Sequence, residues 1–303
     1  MTSSVIHRPR ISVVTASLNA GKTIERTLQS IDEQMYPNLQ LICIDGNSTD
    51  ETAAIIRSYK HLVSVFVQEK DKNVADAINK GFALADGDIF CYLNADDAFA
   101  NGALDLIARK FDENPGVDIV TGGCLRVFAD GSRVTTRVPS NFLEVISLRN
   151  DVEQPSTFWR ASIHRRLGQL DDSFQLAFDW EWWNRIHASG ARFLIVPDVL
   201  SLYYFSADNL TSRAGQRIID EMYRITKAYG PSNGRIADVY KFLFSMFDMR
   251  GYYDQPFAKL SPARKFLFGV TLKTLYRFFG KQAINSYNWN WASKQIRNIT
   301  WYK

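Results

Sequence analysis

The strongest constraint on the fold is an alternation between two hydrophobic periods over the first hundred residues. Short apolar runs rich in β-branched residues are typical of buried strands, and here they lie at 11–16, 39–45, 63–67 and 88–93. Between these runs, apolar residues recur every three or four positions, which predicts helices with one buried face. Alternating strands and helices predict an α/β fold with a mostly parallel central sheet flanked by helices.

The pattern changes in the second hundred residues. A hairpin is predicted from 125 to 136 across an Asp-Gly turn, and a helix from 179 to 189 with Gly190 at its end. Two short apolar runs within 192–205 are separated by Pro197. The last hundred residues have helical periodicity, which predicts a helical carboxyl-terminal extension.

Polar side chains collect where the predicted strands end, and in an open parallel sheet ligands bind beyond those ends. The residues there are Ser17, Asn19, Asp45, Glu69, Asp71, Asn94, Asp96 and Asp97. The chain has neither GxGxxG nor GxxxxGK, the glycine-rich sequences whose backbone amides hold phosphate. A site built from acids needs a cation to hold phosphate, and Asp96 and Asp97 supply the oxygen ligands that Mg²⁺ or Mn²⁺ prefers.

Two further predictions concern helix starts. Ser48, followed by Glu51 three residues on, has the form of a capping box for the second helix. Asp97 could in turn cap a helix that begins near Asn101, which is the alternative to a ligand-binding role. The acidic residues at the neighbouring strand ends favour the ligand-binding role.

The segment 241–303 differs in composition from the rest of the chain. It holds eleven Lys and Arg against two acids, a net charge of +9, whereas the other residues hold 25 bases and 30 acids, a net charge of −5. It also holds 16 of the 40 aromatic residues, and together these features predict an anionic partner. A basic aromatic helix over 265–281 suits an anionic membrane surface; the alternative is packing in a helical subdomain or dimer interface. No nucleic-acid-binding module accompanies the segment, so nucleic acid is not an expected partner.

The cysteines and the amino terminus bear on the cellular compartment. Cys43, Cys91 and Cys124 are far apart in apolar settings, which predicts reduced core residues rather than disulfides or a zinc site. The first ten residues lack the apolar run of a secretory signal, and no stretch approaches the roughly 18 apolar residues of a membrane span. We therefore expect a cytoplasmic protein that can associate peripherally with the inner face of the cell membrane.

Five stretches, in this order, resemble glycosyltransferase family 2, the nucleotide-sugar transferases with the GT-A fold. They are ISVVTASLNAGKTIERTLQSI, LICIDGNSTDET, EKDKNVADAINKGFALADGDIFCYLNADD, QPSTFWR and FDWEWW. The resemblance implies an amino-terminal tail, a GT-A catalytic domain with a nucleotide-binding half and an acceptor-binding half, and a helical, basic, aromatic-rich carboxyl-terminal region. The corresponding boundaries are 1–9 for the tail, 10–215 for the catalytic domain, 10–100 and 117–215 for its halves, and 216–303 for the last region.

The resemblance also implies roles for individual residues. The donor nucleotide is expected to contact Thr15, Ala16, Ser17, Asn19, Asp45, Asp71, Asn94 and Asp96. Asp97 would ligate a divalent metal, Mn²⁺ or Mg²⁺, and Asp179 would be the general base of an inverting reaction. Acceptor contacts are expected from Gln154, Trp180 and Glu181. Because positions 179 and 181 are about 200° apart on a helix, only one of the two acids can face the sugar.

Simpler alternatives stand beside two of these roles. Asp179 could be an acid that the helix dipole favours at a helix amino terminus. Trp180 could be a core residue at helical spacing rather than a platform for a sugar ring. The sequence also departs from the commoner family pattern, because Asn94 replaces an acid, Ile78 replaces an arginine, and Asp45-Gly46-Asn47 replaces Asp-Asp-Gly.

The predicted function is metal-dependent, inverting transfer of a hexosyl or N-acetylhexosaminyl group from a nucleotide-diphosphate donor, expected to be UDP-linked. The acceptor would be a saccharide or a lipid-linked molecule in surface polysaccharide biosynthesis. The alternative is a non-catalytic, GT-A-like binding or scaffold protein of a polysaccharide assembly complex, which the departures at Asn94 and Ile78 would suit. A nucleotidyltransferase is disfavoured because the glycine-rich, basic loop expected after the first strand is missing.

Overall fold

The computed structural model describes residues 8–206, 215–246 and 261–280. These residues form two compact units. The first unit comprises 8–138, 152–178 and 185–206, and the second comprises 139–151, 179–184 and the described residues from 215 onward. The second unit thus takes two segments from within the predicted catalytic domain, whose boundaries stay a prediction.

The described part of the first unit is built on a nine-stranded sheet. Its strands are β1 (Ile11–Ser17), β2 (Leu39–Asp45), β3 (Val63–Gln68), β4 (Ile89–Tyr92), β5 (Ala98–Phe99), β6 (Ile119–Val127), β7 (Arg133–Thr136), β8 (Thr157–Arg160) and β9 (Phe193–Tyr204). Their spatial order is β3-β2-β1-β4-β8-β6-β9-β5, with β7 beside β6. The first four strands pair in parallel, as the alternation predicts, whereas β8 runs antiparallel to both β4 and β6.

Helices cover the parallel strands. They are α1 (Ile24–Asp32), α2 (Thr52–Ser58), α3 (Val74–Ala83), α4 (Ala103–Glu113) and α5 (Ala161–Leu167), while α6 (Phe178–Ala188) contributes residues to both units. Successive residues Val13 and Val14 are both fully buried, because a parallel strand covered on both sides has no polar face. A Cβ on Gly81 of α3 would lie 2.4 Å from Cγ1 of Val14, so the glycine lets this helix approach β1 closely.

Several local predictions can be compared with the structure. The hairpin is confirmed as the antiparallel pair β6–β7, with Leu125 opposite Thr135. The two runs around Pro197 form one strand, β9, whose register with β6 shifts near this proline because proline cannot donate to the ladder. All three cysteines are buried and free, as expected of reduced core residues.

Both capping predictions are wrong. Glu51 is the N-cap of α2 without a side-chain hydrogen bond, and Ser48 instead donates its backbone N–H and hydroxyl to Asp45. The N-cap of α4 is Gly102 in a left-handed conformation, also without a side-chain bond. Asp97 is therefore not a capping residue.

The described part of the second unit is helical outside its two short segments. Its helices are α7 (Gly215–Tyr229), α8 (Arg235–Met246) and α9 (Pro262–Phe279). Asp238 of α8 accepts hydrogen bonds from Lys227 Nζ at 2.6 Å and Tyr223 Oη at 2.8 Å, both on α7. These helices confirm the helical extension, while the remaining parts of the segment 241–303, at 247–260 and 281–303, lie outside the described residues.

Candidate functional site

The polar residues predicted at the strand ends of the first unit lie along one edge because their strands are neighbours. Ser17, the last residue of β1, pairs in register with Asp45, the last residue of β2. The chain leaving β4 continues this edge, since the backbone N–H of Leu93 donates to the carbonyl of Val14 at 2.9 Å. Topology therefore confirms that these polar residues share one edge of the sheet, and the binding of the donor there stays a prediction.

Asp45 is fully buried and organises the turn after β2. Its carboxylate accepts the backbone N–H of Ser48 at 3.0 Å, the Ser48 hydroxyl, and the Ser17 hydroxyl at 3.3 Å. A carboxylate has about four lone-pair positions, so one remains for a ligand. Asn19 joins the loops after β1 and β2, because its Oδ1 accepts the backbone N–H of Thr49 at 2.9 Å.

Thr15 differs from Asp45 in its hydrogen bonding. Its hydroxyl is buried and has no hydrogen-bond partner, although its neighbour Ala16 is only partly buried. Most buried polar atoms in proteins are satisfied, so an orphaned hydroxyl near the ligand edge of the sheet is a candidate for a ligand contact.

Asp71 is held in place by Lys80. The Lys80 ammonium contacts Asp71 Oδ1 at 2.7 Å and Glu69 Oε1 at 2.9 Å. Burial lowers the pKa of Lys80, but the hydrogen bonds to Asp71 and Glu69 outweigh it and hold that pKa above its ordinary value. A Cβ on Gly46 would lie 3.1 Å from Asp71 Oδ2, so Asp71 closes against the turn after β2.

The segment Asn94–Asp97 follows β4 and is named the acidic turn. Asp97 is fully buried, and its Oδ1 has no hydrogen-bond partner. Its Oδ2 lies 3.5 Å from Asn94 Nδ2, at the outer limit of a hydrogen bond. Burial, reinforced by the neighbouring charge of Asp96, raises the pKa of Asp97 well above its ordinary value. Burial also raises the pKa of Asp96.

Helix α1 fixes the backbone of this turn. Arg26 Nη2 donates to the carbonyl of Asp96 at 2.9 Å, and the Thr27 hydroxyl donates to the carbonyl of Asp97 at 2.7 Å. Neither residue was predicted as part of the site, because nothing in a helix-period sequence indicates which side chain will reach a loop seventy residues later.

Gln154 lies against the acidic turn. Its Nε2 donates to the carbonyl of Tyr92 at 2.7 Å, and its Oε1 accepts from Asn94 Nδ2 at 3.3 Å. The structure thus brings one predicted acceptor residue to the predicted donor residues. The neutral Asn94 amide serves both Gln154 and Asp97, which an aspartate could not do because it carries no N–H.

The residues of the acidic turn fit a divalent cation that takes most of its ligands from elsewhere. Asp97 Oδ1 is a buried, unsatisfied, hard oxygen, which is the donor type that Mg²⁺ and Mn²⁺ prefer. Within the part of the chain that the structure describes, no group of three or more His, Cys, Asp or Glu could hold a metal alone. Magnesium commonly binds through one or two carboxylates together with substrate phosphates and water, so this sparse set is sufficient.

Asp179 belongs to the second unit, in the first turn of α6. Its Oδ1 accepts the backbone N–H of Trp180 at 2.7 Å, and its Oδ2 lies 3.4 Å from Asn150 Nδ2. Burial raises the pKa of Asp179 to about 6, against the lowering effect of these hydrogen bonds. Its place in the first turn of α6 also agrees with the alternative of an acid favoured there by the helix dipole.

The two neighbours of Asp179 on α6 are engaged within the protein. Trp180 is 2% exposed and donates its indole N–H to the carbonyl of Ile146, which agrees with the core-packing alternative. Glu181 is buried and accepts a hydrogen bond from the Tyr229 hydroxyl at 2.7 Å. Asp179, with a pKa of about 6, is suited to proton transfer near neutral pH.

Solved structures share this fold. A mannosyltransferase from Pyrobaculum calidifontis in complex with GDP-Man and Mn²⁺ matches with a TM-score of 0.61 and 20% identity, over 96% of this chain and 88% of that one. Residues 1–349 of Staphylococcus aureus TarS, in complex with UDP-GlcNAc, match with a TM-score of 0.57 and 15% identity, over 91% of this chain and 81% of that one. The fold of the protein is therefore GT-A.

The family follows from sequence comparison. A family model described as glycosyl transferase family 2 matches residues 12–172, more than half of the chain, so the protein belongs to glycosyl transferase family 2. An uncharacterized glycosyltransferase of Mycobacterium tuberculosis is 27% identical over 178 residues, 57% of this chain and 67% of the relative. A PGL/p-HBAD biosynthesis glycosyltransferase of Mycobacterium bovis is 25% identical over 179 residues, 57% of this chain and 68% of the relative.

Proposed function

We propose that this glycosyltransferase uses a divalent cation and moves a hexosyl or N-acetylhexosaminyl group from a UDP-linked donor, with inversion. The acceptor is a saccharide or a lipid-linked molecule of surface polysaccharide biosynthesis. The observation that carries the proposal is the fully buried Asp97, whose Oδ1 lacks a partner beside the ligand edge of a GT-A sheet. The nucleotide sugars and Mn²⁺ in the complexes of the two structural neighbours, and the biosynthetic glycosyltransferase function in the name of the M. bovis relative, support it.

The donor nucleotide would be held along the carboxyl edge of the first unit. Asp45 retains one free lone-pair position and would accept a ring N–H, as a uracil or guanine edge offers. The orphaned Thr15 hydroxyl would contact the same nucleoside, together with Ala16 and Ser17. Asp71, fixed by Lys80, and the side chains of Asn94 and Asp96 would position the ribose and diphosphate.

Asp97 would hold the cation through its unsatisfied oxygen. When bound, a divalent ion supplies Lewis-acid stabilisation of the departing diphosphate, worth several kcal/mol in such reactions. The chain's own contribution is to keep the carboxylate desolvated and in place, through the hydrogen bonds of Arg26 and Thr27 to the backbone of the acidic turn. Preorganised groups of this kind need no rearrangement when charge develops.

Asp179 would take the proton from the attacking acceptor hydroxyl. A general base works best when its pKa lies near the working pH, and burial brings Asp179 to about 6. Asn150 and the Trp180 backbone N–H orient the carboxylate and leave lone pairs for the incoming proton.

The experiment is a thermal-shift titration of the full chain with UDP, GDP and dTDP, each with and without Mn²⁺, followed by nucleotide release from the corresponding sugars. We expect stabilisation by UDP that requires Mn²⁺, because ligand binding to the folded state raises its stability. Equal stabilisation with and without the metal would contradict metal dependence. Binding without any release of nucleoside diphosphate in the presence of acceptor saccharides would favour the scaffold alternative.

We further propose that α9 binds an anionic membrane surface and so brings the enzyme to lipid-linked acceptors. Phe266 and Phe278 are 71% and 75% exposed, and Leu267 is exposed as well. The helix carries four basic residues and no acidic one, and each base near an anionic surface contributes about 1 kcal/mol. No helix among the described residues combines the length and apolarity needed to cross a bilayer.

Co-sedimentation with vesicles tests this surface. We expect the protein to pellet with phosphatidylglycerol vesicles and not with phosphatidylcholine vesicles, and Phe266→Ser with Phe278→Ser to abolish pelleting. Met35→Ser is the matched control, since Met35 is 86% exposed and lies in the first unit. Equal recovery with both lipids, or self-association of the protein that the double variant removes, would overturn the membrane assignment.

A further inference from the structure

Arg26 of α1 contacts two parts of the first unit, the acidic turn and Tyr204. Its Nη2 donates to the carbonyl of Asp96 at 2.9 Å, and its guanidinium carbon lies 3.6 Å from the centre of the Tyr204 ring. The distance places the cation against the ring, within the range of a cation–π interaction. One side chain of α1 therefore joins the turn after β4 to the end of β9.

Tyr204 in turn contacts the carboxylate that would hold the cation. Its backbone N–H hydrogen-bonds to the Asp97 carboxyl and favours the charged form. Arg26, Tyr204 and the acidic turn thus form a closed chain of contacts: guanidinium to the Asp96 carbonyl, guanidinium to the Tyr204 ring, and Tyr204 backbone to Asp97.

The charge of Arg26 has a second effect on the same turn. It is opposite in sign to the carboxylates of Asp96 and Asp97 and attracts both. Arg26 Nε is buried without a hydrogen-bond partner, so the guanidinium is held by its stacking and its one carbonyl contact. Lysine could supply the charge but not the planar, stacked geometry.

We propose that Arg26, stacked on Tyr204, is a positioning residue that sets the Asp97 carboxylate for the divalent cation of the donor complex. This inference deepens the proposed function and rests on it. In this proposal Arg26 acts through its contacts with the turn and with Tyr204. Residues that orient a metal ligand from behind commonly change metal affinity by about 10–100-fold.

The test measures the dissociation constant of UDP by calorimetry with and without Mn²⁺ and takes the ratio of the two values. We expect Arg26→Met to lower the metal-dependent gain in UDP affinity by about 10–100-fold, while affinity without Mn²⁺ changes little. Arg26→Lys should keep part of the gain, and Tyr204→Leu should lower it by about three- to tenfold, the value of a moderate cation–π contact. A merely structural role would lower the melting temperature and leave the ratio unchanged.

The matched control is Arg57→Met. Arg57 also lies over an aromatic ring, 5.2 Å from the centre of Phe66, and hydrogen-bonds Gln68, away from the acidic turn. The inference would be overturned if the ratio of UDP dissociation constants in Arg26→Met equalled that of the wild type. It would also be overturned if Arg57→Met lowered the metal-dependent gain in affinity as much as Arg26→Met does. If Arg26→Met does not fold, Arg26→Lys and Tyr204→Leu decide by the same ratio. A wild-type protein whose UDP affinity ignores Mn²⁺ would overturn the metal-dependent function itself, and this inference with it.

Discussion

Two aspartates, one in each unit, show how burial produces different chemistry from the same side chain. Asp97 is fully buried with one oxygen unsatisfied, and its pKa is raised well above the ordinary value. Asp179 is partly buried with both oxygens in hydrogen bonds, and its pKa is about 6. Under the proposed function, the unsatisfied oxygen of the first carboxylate suits a cation, whereas the pKa of the second suits proton exchange near neutral pH.

The largest effect is expected from Asp97→Asn. The amide cannot neutralise a cation, so transition-state stabilisation of several kcal/mol is lost, which corresponds to a fall in kcat/KM of about 10³-fold or more. UDP binding should also lose its dependence on Mn²⁺. Steady-state kinetics and calorimetry measure the two effects, and a variant that keeps both metal-dependent binding and turnover would remove Asp97 from the cation site.

Asp179→Asn is expected to separate chemistry from donor binding. Loss of a general base commonly lowers kcat by about 10²–10⁴-fold. Affinity for UDP with Mn²⁺ should stay at the wild-type value, because Asp179 has no role in holding the donor. Parallel loss of binding and turnover in this variant would mean that the two aspartates do not have distinct roles.

The pH dependence of kcat follows from the same assignment. A base must be unprotonated to act, so kcat should rise about tenfold per pH unit below pH 6 and level off above it. The raised pKa of Asp179 places this rise about two units above that of an ordinary aspartate. A profile that is already flat from pH 4.5 upward would contradict Asp179 as the base.

The smallest effect is expected from Glu181→Gln, which compares the two acids of α6. Glu181 accepts the Tyr229 hydroxyl, so its replacement should cost about 1 kcal/mol of stability and leave kcat within about threefold. Tyr229→Phe removes this hydrogen bond altogether, whereas in Glu181→Gln the amide carbonyl can still accept it without the charge, and Tyr229→Phe is the matched control. A loss of kcat by more than a hundredfold in Glu181→Gln alone would transfer the role of base from Asp179 to Glu181.

Sequence patterns predicted the parallel half of the sheet because its strands are mostly apolar, and β1, β2 and β4 are buried on both faces. They also predicted that Asp45 and Asp97 lie at the ligand edge, because the carboxyl ends of parallel strands meet at one edge of such a sheet. Patterns failed at two places, one through a local competitor and one through long-range strand pairing. Ser48 and Glu51 have the spacing of a cap, yet the nearby Asp45 carboxylate competes successfully for Ser48. Pro197 looks like a strand boundary, yet a register shift keeps β9 continuous.

The sequence by itself determined the fold class, the family and which carboxylates stand at the sheet edge, since these follow from hydrophobic period and order along the chain. Only the tertiary structure decided that Asp97 keeps an unsatisfied oxygen, that Trp180 is buried, and that Arg26 reaches the acidic turn. Desolvation and hydrogen bonding depend on which atoms surround a group in three dimensions. Some of those atoms come from residues far along the chain, 34 positions away for Trp180 and Ile146 and 70 for Arg26 and Asp96, and no local pattern records such contacts.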